Sequence, residues 1–216
     1  MHAFELLTLL RVIPAFALTA LLLALVPGQG MAMILRQSLV GGKRAAITSV
    51  LGNSTGLLIW GAGSAIGLSQ VFAHSHTAYN ILKYAGVAFL IFLSIQTLLT
   101  LRHEYGKFDL EGKAKIGIGP AFRLGLLTNL TNVKAAVFAV AFIPQFVPKN
   151  FSLGFGIFIL ACVQALVSTT WYSLLVNAVD RASVALAKPK VRRALTGLSA
   201  GGILFLALTL LFTSPR

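Results

Sequence analysis

The sequence predicts an all-α integral membrane protein with six transmembrane helices, for three reasons. Hydrophobic residues make up 57% of the 216 residues and charged residues only 11%, whereas a soluble domain carries about 25% charged residues. Long apolar runs recur along the chain, which has a mean hydropathy of +0.86. Basic residues gather in every second connection between these runs. One helical domain in lipid, covering residues 1–216, accounts for all three observations.

Six apolar runs are long enough to cross about 30 Å of hydrocarbon. The predicted spans are Val12 to Leu35, Ala45 to Phe72, Ala78 to Leu101, Phe122 to Val147, Phe151 to Val179 and Ala194 to Phe212. Since Arg11 precedes the first run, a cleaved signal peptide is its alternative interpretation. The run continues to Leu35, however, beyond a usual signal sequence, so we expect it to remain in the protein.

Lysine and arginine predict the orientation of the spans. The connections after spans one, three and five contain Arg36, Lys43, Arg44, Arg102, Lys107, Lys113, Lys115, Arg123, Arg181, Lys188, Lys190, Arg192 and Arg193. Those after spans two and four contain only Lys149. Basic connections stay in the cytoplasm, next to anionic lipid head groups. We therefore expect both termini outside and anionic lipids as neighbours.

The alternation also suggests two halves of opposite orientation. Residues 1–101 and 120–216 would each contain three spans, joined by the cytoplasmic loop 102–119, as in transporters built from inverted repeats. Glycines four residues apart predict close helix packing within the chain, with a homodimer contact as the alternative. These glycines are Gly52 with Gly56, Gly63 with Gly67, and Gly197 with Gly201.

Several function classes lack the residues that they require. The net charge of +13 does not predict nucleic-acid binding, because no water-soluble basic face or recognised motif accompanies it. Cys162 is the only cysteine, which excludes an internal disulfide and predicts a packing role. The histidines lack zinc-binding spacing, and no phosphate-binding loop or paired acid and base lies within a span. We therefore expect neither an enzyme nor a bound cofactor.

The first polar cluster inside a predicted span is Pro27-Gly28-Gln29-Gly30. A proline between flexible residues breaks a helix and leaves backbone carbonyl and N–H groups without partners. Hydrocarbon does not tolerate such groups, whereas a cavity lined by protein does. We expect these four residues to contribute to a solute site.

The second cluster is Thr128 to Lys134, which includes Asn129 and Asn132. The two asparagines are three residues apart and would share one face if the segment is helical. The long side chain of Lys134 has two interpretations, since it could reach the membrane interface or point inward to an anionic group. Polar groups are costly in hydrocarbon unless they are paired, so we take these residues as site candidates.

The third cluster contains Pro144 and Gln145, for which the alternative interpretation is that the proline simply ends span four. Asn53 in span two and Gln164 in span five complete the candidates. Serines and threonines accompany them, at Ser54, Thr55, Ser168, Thr169 and Thr170. Hydroxyl groups of this kind often bond only to their own helix.

In their order along the chain, these features resemble the LysE/RhtB family of amino-acid exporters. The proline-glycine-proline of that family corresponds to Pro27-Gly28-Gln29, and Gly42-Lys43-Arg44-Ala45 follows. Leu82 to Gly86 resembles the opening of its third span. Asn129 to Ala135 resembles its asparagine-proline-lysine segment, and Phe142 to Phe146 its span-four exit, which is the most specific match.

The resemblance implies secondary active export of amino acids or close derivatives across the bacterial inner membrane. Homoserine, threonine, lysine-like and lactone solutes are the expected class, driven by a proton or other ion gradient. Two residues depart from the family pattern, because Gln29 and Val133 stand where it has proline. Gln164 stands where many relatives have an acidic residue, so the resemblance gives no proton-coupling role here.

The predicted mechanism is alternating access, with Pro27 to Gly30 facing Thr128 to Lys134 across a cavity. Helix N-termini and Lys134 would bind the substrate carboxylate, while Gln29, Asn129 and Asn132 would bind its amino or hydroxyl groups. Replacing Asn132 by leucine is expected to abolish export. The alternatives are a metal-cation exporter, disfavoured by the lack of membrane carboxylates and thiols, and a membrane enzyme or assembly factor.

Overall fold

The computed structural model describes residues 2–26, 28–74 and 116–179, with separate helical positions between 77 and 99 and between 194 and 208. Within those residues every regular element is helical. The α-helices are α1 His2–Leu25, α2 Gln29–Arg36, α3 Gly42–His74, α4 Ile118–Leu130, α5 Val133–Val137, α6 Ile143–Phe146 and α7 Leu153–Asn177, and π-helical turns occupy Gln37–Gly41 and Phe138–Phe142. The predicted spans Ala78 to Leu101 and Ala194 to Phe212 lie largely outside the described residues.

Two described helices are long and apolar enough to cross a membrane, namely Leu7–Leu25 of α1 and the whole of α7. A third span forms if Ile118–Leu130 and Val133–Phe146 are counted together, although they bend by 58°. The first predicted span, Val12 to Leu35, has other bounds in the structure, because α1 begins earlier and ends at Leu25, and α2 then covers Gln29–Arg36. The helix is interrupted where Pro27 to Gly30 predicted a break. Apolar composition continues across this break, so hydropathy alone did not detect it.

The 33-residue helix α3 packs along both α4 and α7. At 1.5 Å per residue it is about 50 Å long. Its polar side chains are turned toward neighbouring helices, so that Ser49, Asn53 and Ser64 are all buried. The Ser49 hydroxyl donates to the Ala121 carbonyl at 2.9 Å, and the Ser64 hydroxyl donates to the Ala139 carbonyl at 2.8 Å. These bonds satisfy polar groups that would be costly next to lipid.

Glycines allow α3 and α4 to approach very closely. A Cβ atom on Gly52 would overlap the Phe122 carbonyl oxygen, and one on Gly125 would overlap the Ser49 carbonyl oxygen. A Cβ atom on Gly56 would also meet a side chain of α4. The prediction that the pair Gly52 and Gly56 packs within the chain is therefore confirmed.

A cluster of phenylalanines joins α1 to the second π-helical turn. The rings of Phe138 and Phe142 stack with centroids 4.7 Å apart, and Phe16 contacts Phe146 edge-on at 5.3 Å. Pro144 is buried immediately after this turn. Since proline has no N–H to donate, the irregular turn before it accommodates the missing bond, and the helix continues only to Phe146. Pro144 thus lies near the end of the span, as its alternative interpretation predicted.

Two contacts define the ends of the described bundle. Near the start of α1, the Thr8 hydroxyl lies 3.4 Å from the Asn150 side-chain oxygen, in the connection before α7. Gly41, just before α3, lies against Ile116, just before α4. The start of α1 therefore shares one end of the bundle with the connection that contains Lys149. The starts of α3 and α4 share another location, next to basic residues.

Candidate functional site

The first interruption lies between α1 and α2. α1 ends at Leu25, and Gly28 precedes α2 with an extended backbone (φ −154°, ψ −169°) and no side-chain cap. A helix end leaves up to four carbonyl groups, and a helix start up to four N–H groups, without partners in the helix. The interruption thus offers acceptors from α1 and donors from α2 at neighbouring points. Pro27 lies outside the described residues.

The second interruption lies between α4 and α5. Asn132 adopts an extended conformation there (φ −83°, ψ 101°), and its side-chain oxygen accepts from the Lys134 N–H at 3.1 Å, which starts the new helix. Asn129 and Asn132 do not share one helix face, because the continuous helix that this would require ends between them at Leu130. The reason is that an asparagine side chain competes with the backbone for hydrogen bonds and favours a helix start.

Two hydrogen bonds stabilise the end of α4 at this point. The carbonyl of Asn129 accepts from the Asn132 N–H at 3.0 Å and from the indole N–H of Trp60 at 3.4 Å. Trp60 belongs to α3, so α3 holds the interruption in place. The backbone at this interruption is therefore irregular, and hydrogen bonds hold its α4 side.

Lys134 connects the two interruptions. Its ammonium group donates to the Leu23 carbonyl at 3.1 Å, two residues before the end of α1. A Cβ atom on Gly28 would lie 3.6 Å from the same nitrogen. A lysine is favourable at a helix C-terminus, where carbonyl groups concentrate partial negative charge. The side chain of Lys134 therefore turns toward α1, and its partner there is a neutral carbonyl rather than an anionic group.

Asn53 and Asn129 form a buried amide pair between α3 and α4. The Asn129 side-chain N–H donates to the Asn53 side-chain oxygen at 3.2 Å, and the two side chains are only 2–3% exposed. The Asn129 side-chain oxygen is buried and has no hydrogen-bond partner among the described residues. An unpaired acceptor in such a place costs about 1–3 kcal/mol. This oxygen faces Gly56 of α3, where a Cβ atom would lie 2.8 Å from it.

Gly30 brings a further residue to this pair. A Cβ atom on Gly30 would lie 3.2 Å from the Tyr172 hydroxyl and 3.5 Å from the Asn53 side-chain oxygen. We did not identify Tyr172 from the sequence. The available signal was its position on α7, four residues after Ser168 and eight after Gln164, which places all three on one helix face.

These contacts define the interruption site, which combines a cation, two amides, a phenol and two glycines where the helices are broken. Its members are Gly28, Gly30, Asn53, Asn129, Lys134 and Tyr172. The chain's five acidic residues are Glu5, Glu104, Asp109, Glu111 and Asp180. All five lie outside the ranges Leu7–Leu25, Ile118–Phe146 and Leu153–Asn177 that could cross a membrane. The site is therefore suited to a solute that carries its own negative charge.

The other predicted site residues lie apart from this cluster or are used locally. Gln29 has an exposed side chain, and Pro144 is buried next to the phenylalanines, with the half-buried Gln145 following it. Gln164 is 2% exposed, and its side-chain oxygen lacks a hydrogen-bond partner among the described residues. The side chain of Asn132 caps α5. Gln164 is thus a second unsatisfied acceptor on the α7 face that also carries Tyr172.

The accompanying hydroxyl groups form hydrogen bonds both between helices and within one helix. Ser54 and Thr169 bond to each other at 2.5 Å across α3 and α7. Thr55 donates to the Leu51 carbonyl of its own helix at 2.9 Å.

Cys162 is exposed, so its predicted packing role is wrong. Its neighbour Ala161 takes the buried position instead.

Comparison with known proteins gave one family and several relatives. The family model described as "LysE type translocator" matches residues 21–214. The "Homoserine/homoserine lactone efflux protein" of Salmonella typhimurium is 34% identical over 206 residues, covering 94% of this chain and 96% of that protein. Its namesake in Salmonella typhi is 39% identical over 134 residues, covering 62% and 63%.

A further relative comes from Bacillus subtilis. The "Uncharacterized membrane protein YrhP" is 29% identical over 175 residues, which cover 78% of this chain and 83% of that protein. No solved structure matches the chain.

Proposed function

We propose, from the premise that the chain belongs to the LysE type translocator family, that it exports small amino acids or close derivatives from the cytoplasm by alternating access. The observation that carries the proposal is the bond between Lys134 and the Leu23 carbonyl at 3.1 Å. It places a cation between two broken helices and gives it a neutral partner. A substrate carboxylate would supply the missing charge.

The broken helix ends can bind both charged groups of an amino acid. A carboxylate next to Gly28 would contact Lys134 and the free N–H groups at the start of α2. An ammonium group would bind the free carbonyl groups at the end of α1. Neither the carboxylate nor the ammonium group of the solute would then need a charged lipid head group as its partner. The amide pair and the helix ends together would replace the water that the solute leaves behind.

Homoserine is the first substrate to test. Two relatives, at 34% and 39% identity, are named for efflux of homoserine and its lactone. Homoserine carries the carboxylate and ammonium groups that the interruption site would bind. We further propose that an ion gradient drives export, with the two interruptions opening alternately to each side of the membrane. The cytoplasmic face would be the one that carries the basic connections.

Uptake of labelled homoserine into inside-out vesicles tests this proposal. Vesicles that contain the protein should accumulate homoserine when a proton gradient is imposed, and empty vesicles should not. Lys134→Met keeps the length of the side chain but removes its charge. Because a hydrogen bond to a charged group is worth about 1.5–3 kcal/mol, this variant should reduce uptake at least tenfold at low substrate concentration.

Lys149→Met provides the matched control, since Lys149 is exposed in the connection before α7. It should transport at the wild-type rate. The proposal fails if vesicles with and without the protein behave alike for homoserine, threonine and lysine. The role of Lys134 fails if Lys134→Met, present in equal amount, transports like the wild type.

A further inference from the structure

Tyr172 has a hydroxyl group at the interruption site and an aromatic ring held elsewhere. Its ring belongs to a buried cluster with Met31, Ile34 and Val50, and the residue is 6% exposed. Packing of this kind fixes the direction of the hydroxyl at little further entropic cost. The phenol oxygen therefore has a defined position opposite Gly30.

The hydroxyl of Tyr172 forms no hydrogen bond with any residue in the ranges 2–26, 28–74 and 116–179. A tyrosine whose ring is buried usually finds a hydrogen-bond partner for its hydroxyl. The Asn53 side-chain oxygen lies near the same point, since a Cβ atom on Gly30 would lie 3.2 Å from the Tyr172 hydroxyl and 3.5 Å from that oxygen. Because glycine has no side chain, Gly30 covers neither of these two polar atoms.

The position opposite Gly30 lies close to the position next to Gly28. Gly28 and Gly30 are two residues apart, so their Cα atoms are separated by at most about 7 Å. A solute of amino-acid size can bridge this distance. With its carboxylate near Gly28 and Lys134, such a solute would place its side chain near Gly30. Tyr172 and Asn53 would then face the substrate's side chain rather than its charged groups.

We propose that the Tyr172 hydroxyl binds the side-chain oxygen of the substrate and so makes the exporter selective for amino acids with a hydroxyl or ring-ester oxygen. This inference rests on the proposed function. The phenol donates to that oxygen, and the Asn53 side-chain oxygen, which has a second lone pair, accepts from the substrate hydroxyl where there is one. An apolar side chain of the same size would leave the Tyr172 hydroxyl without a partner and the second lone pair of the Asn53 oxygen unused, which is how a polar site rejects it.

The test compares homoserine with 2-aminobutyrate, which has the same carbon chain without the hydroxyl. Transport of each is measured in inside-out vesicles that contain the full-length protein. The wild type should prefer homoserine. Tyr172→Phe removes only the hydroxyl and keeps the ring, so it should reduce homoserine transport about tenfold, the effect of one hydrogen bond, while 2-aminobutyrate transport is unchanged.

Thr170→Val is the control, because it removes an exposed hydroxyl from the same helix and should leave the preference as it is. Gly30→Ala is the second variant, since its methyl group would occupy the space opposite Tyr172. Gly30→Ala should also weaken the preference for homoserine over 2-aminobutyrate. It tests the inference if Tyr172→Phe does not fold.

Two results would overturn the inference while the proposed function stands. One is a wild type that transports both solutes equally, and the other is a Tyr172→Phe variant with the wild-type preference. A wild type that transports neither solute, nor any other amino acid tested, overturns the proposed function itself.

Discussion

Lys134 shows how a charged residue can be retained within a membrane-spanning segment. An unpaired charge there is costly, and the groups that reduce the cost are carbonyls and helix dipoles. Lys134 finds such a carbonyl at Leu23. Because that partner is neutral, it does not neutralise the lysine, and the proposed substrate carboxylate would do so. The same bond also ties α5 to the end of α1.

Asn132 yields a prediction about helix capping. Its side-chain oxygen accepts from the Lys134 N–H at 3.1 Å, so Asn132→Ala should destabilise the protein by about 1 kcal/mol. Asn132→Ser can still cap the helix and should remain close to the wild type. Thermal unfolding of the purified protein in detergent measures both effects.

The same pair of variants separates capping from substrate binding. If capping is the role of Asn132, export should follow stability, being reduced in the alanine variant and retained in the serine variant. Equal loss of export in both variants, without loss of stability, would instead show a direct contact with substrate. The leucine substitution predicted to abolish export would then act as first expected.

The residue types in the sequence predicted part of the site, but the contacts between these residues could not be predicted. Gly28, Asn129 and Lys134 were identifiable because polar or flexible residues are rare within apolar runs. Tyr172 was not, since an aromatic residue in such a run is usually part of the core, and its ring is indeed packed there. Only the three-dimensional position of its hydroxyl distinguishes it.

At the scale of the helix, the interruptions could be predicted but their form could not. Proline and glycine in the first interruption, and asparagines in the second, indicate irregular backbone. The 58° bend after Leu130 depends on tertiary contacts, including the Trp60 bond from α3. The apolar run from Ala45 to Phe72 predicted the helix α3, which covers Gly42–His74. It did not predict that the serines and asparagine of α3 are buried against α4 and α7.

The crossing of α3 and α4 yields a second prediction. Gly52→Ala would place a methyl group against the Phe122 carbonyl oxygen, and neither backbone can move without separating the helices. Overpacking of this kind costs about 1–3 kcal/mol. We expect a clear loss of thermal stability in detergent and less folded protein in the membrane.

Gly63→Ala is the matched control on the same helix. No described atom lies within 4 Å of a Cβ atom at Gly63, and alanine has the higher helix propensity. This variant should be as stable as the wild type or slightly more stable. If the two alanine variants unfold at the same temperature, the close crossing of α3 and α4 is not what holds these helices together.

At the scale of the whole molecule, the chain is a helical transporter whose interrupted segments come from different parts of the sequence. Gly28 and Lys134 lie 106 positions apart, yet a Cβ atom on the first would lie 3.6 Å from the ammonium of the second. The two inverted halves, 1–101 and 120–216, and the outside location of both termini remain predictions.

The most direct test of the central claim is whether substrate shields Gly28. In a Cys162→Ala background, Gly28→Cys should fit, since the backbone is extended there and the new Cβ atom has ordinary contacts. The neighbouring Lys134 should also favour the reactive thiolate. The rate of its modification by a negatively charged thiol reagent is then measured with and without homoserine, and Gly63→Cys serves as the control.

We predict that homoserine slows modification at position 28 severalfold and leaves position 63 unchanged. An unchanged rate at position 28, in a variant that still exports homoserine, would contradict the claim that the solute passes between the two interruptions.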